Sequence, residues 1–237
     1  MAPIIFFADT HLNISQPDKT QRVIRFLKNQ SLNTTFYILG DLFDLWIGPA
    51  HIELNDYKDI IKELKRLTSA GMKINFIPGN RDFQVGPELS NKTGIKILPE
   101  IFSLTLGGKK ILLTHGDIFC TEDKSYQTYR RVSHAKIIRS AYQLLPKKIG
   151  MGLGKKIRGY SQDVVPQKPL ISRNIIDSVL NRYFKKGYDI IICGHIHKHQ
   201  KREIHPGKTL ITVGSWETKG IYAEYQDGDF IIKEAVI

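Results

Sequence analysis

Phe36-Tyr37-Ile38-Leu39-Gly40-Asp41 is a short apolar run that stops at a glycine and a carboxylate. Aromatic and aliphatic residues bounded by turn formers read as a strand buried on both faces, with Asp41 just beyond its carboxyl end. The arrangement recurs four more times. Residues 4–8 run into Asp9-Thr10-His11, 74–77 into Gly79-Asn80-Arg81-Asp82, 111–114 into His115-Gly116-Asp117, and 190–193 into Gly194-His195-Ile196-His197. Helical spacing fills the gaps at 17–30, where Val23, Ile24 and Leu27 share a face, and at 56–70. Strands alternating with amphipathic helices predict an α/β fold, and in open α/β sheets ligand sites gather beyond the carboxyl ends of strands.

Ser15 and Asn55 are placed to cap the two helices, and Gly71 to close the second. Residues 172–186 read as another helix. Toward the C-terminus, 210–213, 221–225 and 230–236, with Asp227-Gly228 as a hairpin turn, read as an antiparallel meander. There is no internal repeat. The expectation is one domain over 1–237 with a helical insert at about 122–168.

Composition removes several classes. At 41% hydrophobic and 24% charged, the 237 residues can bury a core and are not a disordered segment. Two cysteines, Cys120 and Cys193, make no disulfide framework, and Cys193 reads as a small core residue. No apolar run approaches the ~18–20 residues needed to span a bilayer. The N-terminal apolar stretch lacks the basic flank of a signal peptide, so a cytoplasmic globular protein is expected. The net charge of +12 is concentrated: residues 124–168 carry eleven basic side chains against one acid, Asp163. Tyr126, Tyr129, Ile137, Ile138 and Tyr142 interleave with them at helical spacing. A basic amphipathic helix of this kind suits a membrane surface or a lid better than a nucleic-acid groove.

The five strand ends offer two carboxylates (Asp9, Asp41), one amide (Asn80) and four imidazoles (His11, His115, His195, His197). That mixture suits Mn²⁺, Fe, Co or Zn²⁺ rather than Ca²⁺ or a thiolate-bound zinc. Seven ligands exceed what one ion with open positions needs, and two ions ~3.5–4 Å apart bridged by a carboxylate fit the number better. His51, His134 and His205 lie in polar contexts and His199 in a loop, and none is expected at the site.

The ordered set D-x-H, G-D, G-N-x-D, H-G-D, G-H-x-H resembles the calcineurin-like metallophosphoesterase superfamily over nearly the whole chain. Three stretches look like the bacterial UDP-2,3-diacylglucosamine diphosphatases: Gly40-Asp41-Leu42-Phe43-Asp44-Leu45-Trp46-Ile47-Gly48, Gly79-Asn80-Arg81-Asp82-Phe83, and His115 through Asp123 to Tyr126 and Arg130. The resemblance implies a β-sandwich flanked by helices with an inserted helical lid. It implies cleavage of the pyrophosphate of UDP-2,3-diacylglucosamine to UMP and 2,3-diacylglucosamine 1-phosphate, with Mn²⁺, at the cytoplasmic face of the inner membrane. It would put Asp9, His11, Asp41 and His197 on one ion and Asp41, Asn80, His115 and His195 on the other. Asn80, Arg81, Asp123, Ser161, Lys168 and His195 match positions that contact substrate. Asp41, Asn80, Arg81 and His115 would carry catalysis. The chain departs from the pattern at Pro49-Ala50, at Val165 and along 169–175.

Arg81 narrows the chemistry. Many relatives in the superfamily have a histidine there, able to protonate an alkoxide leaving group. A guanidinium keeps its proton near neutrality but can grip phosphate oxygens. The leaving group is then expected to be weakly basic, as a sugar 1-phosphate is. The blander alternative is that Arg81 only pairs with Asp82. A lipid-linked nucleotide and an anionic membrane surface are the expected partners, with no nucleic acid and no obligate protein partner. The competing expectations are a metal-dependent nuclease or general phosphodiesterase on the same scaffold, and a non-enzymatic scaffold.

Overall fold

The computed structural model describes residues 2–144 except 14 and 47, the single positions 149, 152, 156 and 159, and residues 174–236. The first sheet contains β1 (Ile4–Phe7), β2 (Thr35–Ile38), β3 (Lys73–Phe76), β4 (Lys96–Ile97), β10 (Ile221–Gln226) and β11 (Asp229–Glu234). Their order is β11-β10-β1-β2-β3-β4, with β1 to β4 parallel and β10 and β11 antiparallel. The second contains β5 (Ile101–Leu106), β6 (Lys109–Thr114), β7 (Ile190–Cys193), β8 (Gln200–His205) and β9 (Lys208–Thr212). Its order is β5-β6-β7-β9-β8, with β6, β7 and β9 parallel between antiparallel edges.

Side-chain alternation explains why the central strands are apolar without a break. In β1, Ile5 and Phe7 join Val23 and Leu27 of α1 (Pro17–Lys28) and Ile60 and Leu64 of α2 (Lys58–Ser69) in one core. Phe6 points the other way and packs with Leu113, Ile192 and Ile211 between the sheets. Leu112, Ile191 and Cys193 face outward, under Val179, Leu180 and Phe184 of α6 (Asp177–Phe184). The order of layers is therefore helix, sheet, sheet, helix. α3 (Pro87–Thr93) packs beside α2.

Several expectations are corrected. Strand β9 lies in the second sheet while β10 and β11 extend the first, so the C-terminal strands are no single meander. The connection from 213 to 220 is too long for a hairpin and carries Trp216 into the helix-side core. Asp227-Gly228 does turn the β10–β11 hairpin, both with positive φ. Ser15 and Asn55 cap nothing: Gln16 and Tyr57 precede the helices without a capping bond, and Ser15 is held by the Asn13 carboxamide. The edge strands β4, β5 and β8 and the helix α3 are not among the expected elements: β4 has two residues, and β5 and β8 are half-buried strands without the continuous apolar run of the central ones. The basic insert starts as two helices, α4 (Lys124–Ser133) and α5 (Lys136–Leu144), rather than one. They part at His134, whose ring is drawn into the body by Glu100 at 2.7 Å and by stacking on Phe83 at 4.7 Å. The expected helix at 172–186 starts at Asp177, and its first two residues lie outside the described ones.

Candidate metal centre

The five strand ends meet at one edge of the sandwich. Main-chain bonds join them: Asp9 N–H donates to Gly40 O at 3.2 Å, His11 N–H to Asp41 O at 3.0 Å, and Gly194 N–H to His115 O at 2.8 Å. Asp9, His11, Asp41, His195 and His197 all have positive φ, between 46° and 71°. Such a backbone costs roughly 1–3 kcal/mol per non-glycine residue and persists where the surroundings over-determine it, commonly at functional sites. Asp82 supplies part of that determination. Its buried carboxylate accepts from the main-chain N–H groups of Gly79 (2.7 Å), Asp41 (3.2 Å) and Phe43 (3.2 Å), lacing two strand ends together.

The seven polar side chains fall into two groups about Asp41. On one side His11 Nε2 and His197 Nε2 are 3.0 Å apart, with Asp9 Oδ1 at 4.0 and 3.7 Å. On the other, Asn80 Oδ1 lies 2.8 Å from His115 Nε2 and 3.0 Å from His195 Nδ1. Asp41 Oδ2 stands between, 3.7 Å from His11 Nδ1 and 3.7 Å from His115 Nε2. Asp9, His11, Asp41 and His115 are buried, and His197 is the opening to solvent.

Burial and neighbouring charges shift the ionisable groups in opposite directions. Burial raises the Asp9 carboxyl to about 7, with the Asp41 carboxylate adding to the rise against the pull of His115. Burial, then Arg81, pushes His11 well below its ordinary value, and burial, then His115, brings His195 to about 4. Burial also opposes a charge on His115, but Asp41, Asp9 and Asp117 outweigh it and lift the imidazole to about 9. Asp9 Oδ1 and His11 Nδ1 are buried without a hydrogen-bond partner. Facing imidazole nitrogens, a bridging carboxylate and orphaned buried acceptors form a donor set that fits divalent cations. Asp9, His11 and His197 have ligand atoms within 4.8 Å of one another, as do Asp9, Asp41 and His115.

Arg81 sits on the rim. Its Nη1 donates to Asp44 at 2.7 Å and its Nε lies 3.6 Å from Asp41, so it pairs with Asp44 and Asp41 rather than with Asp82. Asp123 caps α4 by accepting from Tyr126 N–H at 2.9 Å. Tyr126 then donates its hydroxyl to Asp117 at 2.6 Å and lies 6.1 Å from the His195 ring. Ser161 and Lys168 lie outside the described residues. His51 does not sit in a polar context. It is buried beside Trp46, because the 3-10 turn at Pro49–Glu53 folds it inward. Asp44 and Asp117 are functional neighbours that motif reading passed over, although both lie inside the quoted motifs.

A helix-flanked double sheet with this constellation at its strand ends defines a metallophosphoesterase. Residues 2–199 match the calcineurin-like phosphoesterase family. The chain is 34% identical over 233 residues to a UDP-2,3-diacylglucosamine hydrolase of Neisseria meningitidis serogroup B, covering 97% of this chain and 96% of that one. It is 35% identical over 234 residues to the enzyme of the same name from Shewanella pealeana, covering 97% of each. A solved archaeal phosphodiesterase shares the fold, with a TM-score of 0.50 at 17% identity over 98% of this chain and 99% of that one. The protein belongs to the calcineurin-like phosphoesterases and, within them, to the UDP-2,3-diacylglucosamine hydrolases.

Proposed function

We propose that the protein hydrolyses the pyrophosphate of UDP-2,3-diacylglucosamine to UMP and 2,3-diacylglucosamine 1-phosphate, as a Mn²⁺ enzyme at the cytoplasmic face of the inner membrane. The substrate follows from the relatives, and the observation that supports a dinuclear centre is Asp41 Oδ2, equidistant at 3.7 Å from an imidazole of each ligand group. Asp9, His11, Asp41 and His197 would hold one ion, and Asp41, Asn80, His115 and His195 the other. Held by these residues, two divalent ions would lower the pKa of a water and neutralise the phosphoryl oxygens. Arg81, anchored by Asp44 and Asp41, would offer its remaining N–H groups to the departing phosphate. It adds charge without donating a proton, which suffices for a sugar 1-phosphate. Water, giving up one proton to bulk solvent, adds to the uridylyl phosphorus, the bond to the bridging oxygen breaks, and the sugar phosphate leaves with both bonding electrons.

The outer surface of α4 and α5 favours contact with lipid. Val132 and Ile137 are exposed there, 57% and 83%, and Lys124 and Arg131 of α4 are exposed as well. Exposed apolar groups together with cations suit an anionic bilayer holding the diacylated substrate. No helix among the described residues is long and apolar enough to cross one.

The test is product analysis by mass spectrometry, with Mn²⁺-loaded protein and UDP-2,3-diacylglucosamine in detergent and H₂¹⁸O. Label in UMP, with unlabelled lipid 1-phosphate, is the expected outcome. Cleavage of DNA or simple diesters without turnover of the lipid would move the protein to the nuclease or general phosphodiesterase class. Stripping with EDTA should abolish turnover, and Mn²⁺ should restore it.

A further inference from the structure

Lys19, in the first turn of α1, has a side chain 3% exposed, a depth at which an ammonium is rare without a partner. Its Nζ lies 3.2 Å from both carboxylate oxygens of Glu217, which is 48% exposed. One helical turn on, Arg22 donates to the carbonyl oxygens of Thr218 at 2.5 Å and Trp216 at 3.3 Å. These contacts clamp the 214–220 connection onto α1. The same connection touches the ligand cluster, because Trp216 N–H donates to Asp9 O at 3.3 Å. Glu217 directly follows Trp216, so the Lys19–Glu217 pair stands next to the main chain of Asp9.

We propose that Glu217 is the counter-ion that lets buried Lys19 stand beside the Asp9–His11–His197 pocket, the two forming a positioning pair for the ion held there, which rests on the metal-centre assignment above. A dication entering this pocket meets a cation already in place. With both Glu217 oxygens on the ammonium, that charge is balanced and its desolvation is offset. Without Glu217 a bare buried ammonium opposes the incoming ion. Removing both side chains removes the opposition. A plain structural clamp between α1 and the connection would instead lower thermal stability without distinguishing the two ions.

Calorimetric titration of Mn²⁺ into EDTA-stripped protein, with thermal melting as the control for folding, separates these cases. The parent protein should bind two ions, one of which is lost in His197→Ala. If it does not, the metal-centre assignment itself fails. Glu217→Gln should weaken the ion that His197→Ala loses by about 10–100-fold and leave the other within about threefold. Lys19→Met/Glu217→Gln should return to within about threefold of the parent, and Lys19→Met alone should bind that ion more tightly than the parent. Unchanged binding in Glu217→Gln, equal weakening of both ions, or a double variant as weak as Glu217→Gln would overturn the proposal. If Glu217→Gln does not fold, Lys19→Met decides alone: tighter binding of the ion that His197→Ala loses supports the counter-ion role, and unchanged or weakened binding contradicts it.

Discussion

A methyl group on Gly79 would lie 2.2 Å from Asp41 Oδ1 and 2.4 Å from Asp41 N, inside contact distance of main chain that cannot yield. Gly79→Ala should therefore displace the bridging carboxylate while leaving the sheets intact. The expected outcome is a fall in kcat of ~100-fold or more with the far-UV spectrum unchanged, measured on the lipid substrate with Mn²⁺ in excess. Arg81 offers a finer test. If it stabilises a departing phosphate, Arg81→Gln should cost ~100-fold on the lipid pyrophosphate. It should cost much less on bis-p-nitrophenyl phosphate, whose leaving group needs no such help. Equal losses on both would make Arg81 a structural partner of Asp44.

At the scale of elements, α4 is tied to the strand ends by a chain of charged contacts. Asp117, two residues after His115, accepts from Arg130 Nε at 2.6 Å as well as from Tyr126. Arg130 also reaches Glu100 at 2.6 Å, at the start of β5, and Glu100 accepts from His134. Burial alone would raise the Glu100 carboxyl, but hydrogen bonding from His134 and the charges of His134 and Arg130 bring it below its ordinary 4.5. A lowered folded value means that the stabilisation is complete above 4.5 and is lost as pH falls through the folded value. Glu100→Gln should thus lower Tm at neutral pH and flatten its acid decline, followed by thermal melts from about pH 3 to 7. Parallel Tm profiles would show that this contact does not hold α4 in place.

Across the whole molecule the +12 charge acts at long range, and most of it falls within residues 124–168, which begin with α4. Lys124→Glu/Arg131→Glu should raise KM for substrate in anionic vesicles, most strongly at low salt, and spare a soluble nucleotide diphosphate. Equal losses on both substrates would remove the membrane-facing role of α4. The sequence alone determined the layer-forming strands and the chemistry of their ends, because both are local. An apolar run buried on two faces has to be a central strand, and a polar residue just past it stands at the sheet's edge. The division of Leu210 and Tyr225 between different sheets was not legible, since nothing in a strand's own residues states which neighbour it pairs with. Nor was Lys19 with Glu217, or Arg81 with Asp44 instead of adjacent Asp82. Those partners lie far apart in the chain, or compete with a nearer one, and only the packed backbone decides which carboxylate a cation can reach.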